Sequence, residues 1–353
     1  MGAKRSIVAD SHEFFDDVVL PLLEKHFPTE TEEMAVGFFG YGSEVLGLDD
    51  QYSTDHHFGL RVNALLPEVL LEPRGSAIEN MLAEKLPQRW RGRELREGYT
   101  PTKGVALASL EHHLLSTIGL NDAPANNAEW LSIPEEDITH VTGGEVWSDP
   151  SGRFSAIRKA LLGYYPEPVR LRRLAHWSRY FSGMGVYALQ RALLRNNLLY
   201  ASTTFSRALR WGVQMAFMLD KTYYPYDKWL TDAFRKLPRM AGRLAHIVDE
   251  APNLSTSWEQ KLALLEEMSD VLDQTMIEDG LISPHGKYAR SPTSGYRLLE
   301  GAYAELIKKC PSDIRGLVPQ WEQVHWEGFH SKFVDGINIS DWRRMLNLLE
   351  EKQ

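Results

Sequence analysis

Between residues 35 and 61 the sequence reads AVGFFGYGSEVLGLDDQYSTDHHFGLR. An apolar run delivers Gly42 and Ser43 to a turn. There, backbone N–H groups and a hydroxyl can hold phosphate oxygens, and a larger side chain would obstruct the approach. Asp55 follows twelve residues after Ser43, and His57 two residues later. On an extended strand the period of two sets Asp55 and His57 on one face and His56 on the other, so the pair can share a divalent cation. Phosphate chemistry assisted by a metal ion is the reading these residue types support.

The elements that must position them follow from periodicity. SHEFFDDVVLPLLEKHF repeats apolar residues at helical spacing and predicts a helix capped by Ser11 or Asp10 and kinked at Pro21. MAVGFFG reads as a strand, HHFGLRVNALL as a second one ending at Pro67, and KGVALASL as a third that leads into EHHLLSTIG. A helix is expected over about residues 76–87. Asn, Pro and Gly crowd the segment from Asn121 to Gly152, which holds two strand-like pieces, ITHV and EVW. Beyond it the pattern is helical over 153–164, 168–199, 202–220, 257–277 and 294–309, with Ser257 and Gln260 placed as a capping box. The expected architecture is α+β, with a mixed-sheet domain over residues 1–125 and an all-helical domain over 126–353.

Composition bounds the function. The chain has 353 residues, 43% of them hydrophobic and 25% charged, so a sizeable core is expected and a disordered chain is excluded. A formal charge of -9 argues against binding nucleic acid over the whole surface. Charge is uneven, because residues 153–210 hold 11 Lys or Arg against the single acid Glu167. Such arginines can grip phosphate or can pair with acids elsewhere. The one cysteine, Cys310, fits a reducing compartment and excludes a Cys-rich zinc site. No apolar stretch reaches the length of a membrane span, so a cytoplasmic protein with no membrane partner is expected.

Strand, Gly-Ser turn and acid-x-acid strand are the layout of the nucleotidyltransferase superfamily, and the chain resembles it. Within that superfamily it is most similar to the domain-of-unknown-function family numbered four thousand and thirty-seven, through a GSE, then DD, then S-x-DH[DH] signature. The matching residues are Gly42, Ser43 and Glu44, then Asp49 and Asp50, then Ser53, Asp55, His56 and His57. THVTGGEVWSDPSG, LLGYYPEPVRLRRLAHW and KTYYPYDKW extend the resemblance downstream.

The resemblance implies a nucleotidyltransferase-like first domain. It would move a nucleoside monophosphate from a nucleoside triphosphate (NTP) to an acceptor, with magnesium or manganese as cofactor. Asp55 and His57 would hold the metal and act as catalytic residues. Gly42, Ser43 and Glu44 would contact the nucleotide, Arg61 would reach phosphate or Asp55, and Lys221 and Lys228, flanking Tyr226, would contact triphosphate or acceptor. The superfamily has a second acid where His57 stands; imidazole brings no negative charge, which weakens magnesium and favours manganese or zinc. Glu111 is the nearest candidate for a third carboxylate. A small-molecule acceptor fits the charge best, with an RNA or protein acceptor left open. Two alternatives stand beside transfer: a catalytically degenerate nucleotide-binding module, and a DHH-type phosphoesterase suggested by the string Asp55-His56-His57. His112 and His113 read as polar residues at a helix start.

Overall fold

The computed structural model describes residues 6–53, 59–95, 104–284 and 299–317, together with residue 319. They divide into two compact units. The first holds the described chain up to Pro124 and then Ile133–Gly163; the second holds Ala125–Ser132 and the described chain from Tyr164 on.

In the first unit, α1 (Ile7–Phe14) starts at Ser6, whose hydroxyl accepts from the Ala9 N–H. The expected caps serve elsewhere: Ser11 is buried and accepts the Arg61 N–H, and Asp10 pairs with Arg93. A π-helical stretch, Phe15–Val19, separates α1 from α2 (Leu20–His26). Helical dihedrals continue through the junction, and the wider π-helical turn lies just before Pro21, whose missing N–H leaves a carbonyl of that turn without its helical donor. After α3 (Pro28–Glu32) come β1 (Ala35–Phe38) and β2 (Val62–Leu66). Helix α4 (Glu68–Lys85) begins eight residues earlier than the expected 76 and accommodates Pro73 in its interior. The hairpin of β3 (Arg89–Trp90) and β4 (Arg93–Glu94) precedes β5 (Val105–Ser109), which leads into α5 (Leu110–Ile118), capped by Ser109.

Helix α6 (Asn127–Ser132) belongs to the second unit. The chain then returns to the first through α7 (Ile138–Thr142), β6 (Glu145–Ser148) and α8 (Arg153–Leu162). ITHV is therefore helical rather than extended, whereas EVW is a strand as expected. The four-stranded sheet runs β5-β2-β1-β6, with β2 and β5 parallel and β1 antiparallel to both neighbours. Phe14, Phe15, Val19 and Leu23 join the core that also contains Val36, Val62, Ala64 and Val105. Gly144 makes the return of β6 possible: at φ +68, a Cβ there would lie 1.9 Å from the Phe38 carbonyl oxygen.

The second unit is helical: α9 (Glu167–Arg179), a π-helical stretch Tyr180–Tyr187, α10 (Ala188–Leu194), α11 (Leu198–Leu219), α12 (Asp227–Phe234), α13 (Met240–Glu250), α14 (Trp258–Glu278), α15 (Glu300–Lys309) and α16 (Ser312–Arg315). The capping box of Ser257 and Gln260 is formed at α14. The single stretch expected over 168–199 is instead divided, and α12 and α13 stand where no helix was expected. Trp177, Phe181, Phe217 and Phe234 are fully buried.

Candidate functional site

Strand β1 ends at Phe38 and gives way to a chain of turns. Leu46 and Leu48 N–H groups both bond the Ser43 carbonyl, at 3.2 and 3.0 Å, and Gly47 N–H bonds that of Glu44 at 3.2 Å. Residues 41–47 are thus turn rather than the start of a helix. At Gly42 φ is +148°, and a Cβ would stand 2.7 Å from the Glu44 carboxylate.

Arg61, just before β2, fixes this turn. Its guanidinium donates to the carbonyls of Tyr41 at 3.0 Å and Phe39 at 3.3 Å, lies 4.1 Å over the Phe38 ring, and stands 3.6 Å from the Glu44 carboxylate. Its side chain is only 4% exposed. The carbonyls beyond a strand end need donors, and guanidinium offers several in a fixed plane, so Arg61 satisfies them and keeps Glu44 as counter-charge. From the other side, the Asn63 side-chain oxygen accepts the Phe39 N–H at 3.2 Å.

The opposite wall comes from α7 and the glycine pair after it. Gly40 N–H bonds the His140 carbonyl at 3.0 Å, Gly144 N–H bonds that of Val45 at 2.8 Å, and the Tyr41 ring meets the His140 ring edge-on at 5.1 Å. Arg158 donates to the carbonyls of Thr142, Gly143 and Gly144 and holds the end of α7. His140 Nδ1 is 3.3 Å from Asp137 Oδ1, and Glu135, Glu136, Asp137 and His140 are all buried. By composition alone this acidic and imidazole segment belongs to the Asn-, Pro- and Gly-rich bridge over 121–152. Its signal was available: three successive acids after Pro134, followed by an imidazole at i+3 from Asp137.

Of the residues singled out from sequence, Gly42, Ser43, Glu44 and Arg61 meet at this turn. Asp55, His56 and His57 lie outside the described residues. Among the described residues no three His, Cys, Asp or Glu side chains are grouped to hold a metal ion. Glu111 is committed elsewhere: it accepts from Arg153 at 2.6 Å and from the Glu68 N–H at 2.9 Å. Burial pushes its carboxyl up, but the Arg153 bond and backbone donors outweigh this and leave it below the usual glutamate value. His113 packs against Phe39 and Phe154, while the His112 N–H serves the cap of α5.

Lys221 and Lys228 belong to the second unit. Lys221 follows α11 with φ 50°, its N–H on Met218 O and the Thr222 N–H on Phe217 O, which is a Schellman ending with lysine at the left-handed position. It lines a cavity of about 440 Å³ with Arg170, Asp220, Arg239 and Asp279. Lys228 lies 4.9 Å over the Trp229 ring.

Much of the arginine-rich stretch is engaged internally. Arg170 pairs with Glu167, Arg172 reaches Leu317 O, Arg179 reaches the Tyr303 hydroxyl, and Arg210 pairs with Asp227. Burial, then Arg172 and Arg173, push His176 down to about 3, so its imidazole is neutral at physiological pH.

Residues 130–230 match the family described as Domain of unknown function (DUF4037), the family that the GSE and S-x-DH[DH] signature resembles. The match covers that segment and not the rest of the chain. It runs from the end of α6 into α12, includes α7 and the Asp137–His140 pair, and lies downstream of Gly42 and Arg61. No curated protein matches the chain.

Proposed function

We propose that the first unit has a nucleotidyltransferase-like fold. In this reading it holds the phosphates of an NTP at the turn of residues 40–47 and transfers the nucleoside monophosphate to a small-molecule acceptor in the cytoplasm. The acceptor hydroxyl oxygen forms the new bond to the α-phosphorus, the bond to the β-phosphate oxygen breaks, and pyrophosphate leaves.

The observation that carries the reading is the turn itself. It is a glycine loop after a strand, with Gly42 at a φ that disfavours side chains, pinned by buried Arg61 and adjoined by His140. The Gly40, Leu46 and Gly47 N–H groups are bonded internally, so the donors this turn would offer an anion are those between them, around Gly42. Arg61 acts through the turn: its charge is directed at the Tyr41 and Phe39 carbonyls and at Glu44, so it positions the backbone. Ser43, buried at the centre of the turn, accepts two backbone N–H groups at its carbonyl and so fixes where Gly42 and Glu44 point. Holding magnesium or manganese falls to Asp55 and His57; the ion would supply positive charge against the phosphates.

Thermal unfolding of the full chain with each NTP, with magnesium, manganese or EDTA, tests the reading alongside pyrophosphate release. A ligand at a hundredfold over its Kd adds about 2.7 kcal/mol to native stability. We expect one nucleotide to raise the midpoint only with metal, and Asp55→Asn to abolish both that shift and turnover without lowering the unliganded midpoint. Retained turnover in Asp55→Asn sinks the assignment. A second reading is favoured by His57 standing where the superfamily has an acid: stabilisation by nucleotide without pyrophosphate release would identify a non-catalytic nucleotide-binding module.

A further inference from the structure

The second unit carries an apolar tip that its own core does not use. Helices α10 and α11 meet through Arg195, Asn196 and Asn197, and every residue over 194–200 is exposed. Leu194 is 71% exposed, Leu198 50%, Leu199 81% and Tyr200 45%. Soluble proteins show single exposed leucines routinely, but three beside a tyrosine on one turn form a patch.

The tip is held by its own hydrogen bonds. The Asn197 side chain accepts the Tyr200 N–H at 3.1 Å, and the Asn197 N–H reaches Ala192 O at 3.0 Å. Asn196, at φ 51°, makes the left-handed turn to which asparagine is suited. Leu254, fully exposed, lies in the loop between α13 and α14. Lys261 fastens that loop, donating to Ala251 and Asn253 carbonyls while its ammonium sits 4.9 Å over the Phe205 ring of α11. Phe205 stands about 9 Å along the helix from Leu199, so Leu254 is presented toward the same end of the unit.

Charge distinguishes this end. From Pro168 to Leu219 there is no Asp or Glu, against eight arginines. Those nearest the tip, Arg191, Arg195 and Arg207, pair with no carboxylate among the described residues: Arg191 lies over the Tyr187 ring, and Arg195 donates to the Arg191 carbonyl of its own helix. Glu250 and Glu259 flank the loop of Leu254, so the positive character lies on the α10–α11 side.

We propose that this tip docks on the anionic surface of a lipid bilayer, with Leu194, Leu198 and Leu199 entering the headgroup boundary and Arg191, Arg195 and Arg207 facing lipid phosphates. The exposed leucines lie beside arginines on an acid-free stretch, and a bilayer boundary with anionic headgroups matches both characters. Tyrosine suits that boundary, and arginine keeps its head in the polar layer while its stem lies among apolar groups. The contact is peripheral, since among the described residues no helix is long and apolar enough to cross a membrane.

Co-sedimentation of the full chain with vesicles of phosphatidylcholine, with and without phosphatidylglycerol, tests this. We expect retention on the phosphatidylglycerol vesicles, a decline at high salt, and weak retention on phosphatidylcholine alone. Leu198→Ser with Leu199→Ser, and separately Arg195→Gln with Arg207→Gln, should each weaken retention at least about tenfold with an unchanged thermal midpoint, since these residues are exposed. Absence of the wild type from the vesicle pellet overturns the proposal, as does a leucine variant that sediments as well as the wild type. A lipid-free dimer on size-exclusion chromatography that the leucine variant dissolves would assign the tip to a second copy of this chain and also overturn it.

Discussion

Arg61 in the first unit and Arg173 in the second are the same device in two settings. Each is buried, lies over an aromatic ring and donates to backbone carbonyls: Arg61 to Tyr41 and Phe39, Arg173 to Trp130 at 3.2 Å and Leu131 at 3.4 Å. Arg173 closes the end of α6 and stacks 4.8 Å from the Tyr165 centroid, within a group of Tyr164, Tyr165 and Tyr223 rings. There burial, with Tyr165 next, pushes the Tyr223 phenol up, so it stays protonated. Arg61 instead tethers a turn that ends no helix, and a carboxylate faces it, Glu44 at 3.6 Å. One guanidinium closes a helix end; the other shapes a loop. A buried arginine marks where the chain needs several donors at one point, whether at a helix end or within a loop.

The largest expected effect tests what holds the loop. Gly144→Ala forces a Cβ into the Phe38 carbonyl at a left-handed φ, and the loss should reach about 3 kcal/mol or more. An unchanged urea midpoint would show that the β6 return does not depend on this approach. Next, Arg61→Met and Arg173→Met should each cost about 3 kcal/mol, because carbonyls, and for Arg61 the Glu44 carboxylate, lose their buried partner. The comparison sharpens in the ligand response: Arg61→Met should lose nucleotide-dependent stabilisation, and Arg173→Met should keep it. Equal responses would break the distinction. Arg61→Lys should not rescue, since a single ammonium cannot reproduce the planar fork.

The smallest effect concerns Glu111 and Arg153, a half-exposed pair in the first unit. Glu111→Gln should cost about 1 kcal/mol at pH 7. The folded carboxyl lies below its ordinary value, so its contribution is present above the unfolded pKa of about 4.3 and is lost as pH falls through the folded one. Urea unfolding of both forms at pH 7 and at pH 3 should show the gap closing on acidification; a constant gap would assign it to packing alone.

Several elements were legible in the chain because short-range rules set them. Strands β1 and β5, helix α5 and the capping box of Ser257 and Gln260 follow from periodicity and side-chain caps acting within one or two turns. Gly42, Ser43 and Glu44 were legible as a turn, and the match over residues 130–230 is to the same family that the downstream helical segments resemble. The cap of α1 was misplaced, because Ser11 is required by the distant Arg61 N–H, fifty residues away. Three charges after a proline have the pattern of a solvated linker, yet the acids over 135–137 are buried, next to α7, which packs on α5 and α8.

By itself, then, the sequence determined the α+β character, the glycine turn after a strand and the predominance of helix beyond residue 153, since propensity, caps and apolar spacing are local. Tertiary structure decided the rest. It turned ITHV into a helix, brought Asp137 and His140 against the turn, and directed Arg61 to carbonyls rather than outward. It also left Leu194, Leu198 and Leu199 uncovered. Each of these depends on which distant backbone comes within hydrogen-bonding or van der Waals distance, and local spacing carries no record of that.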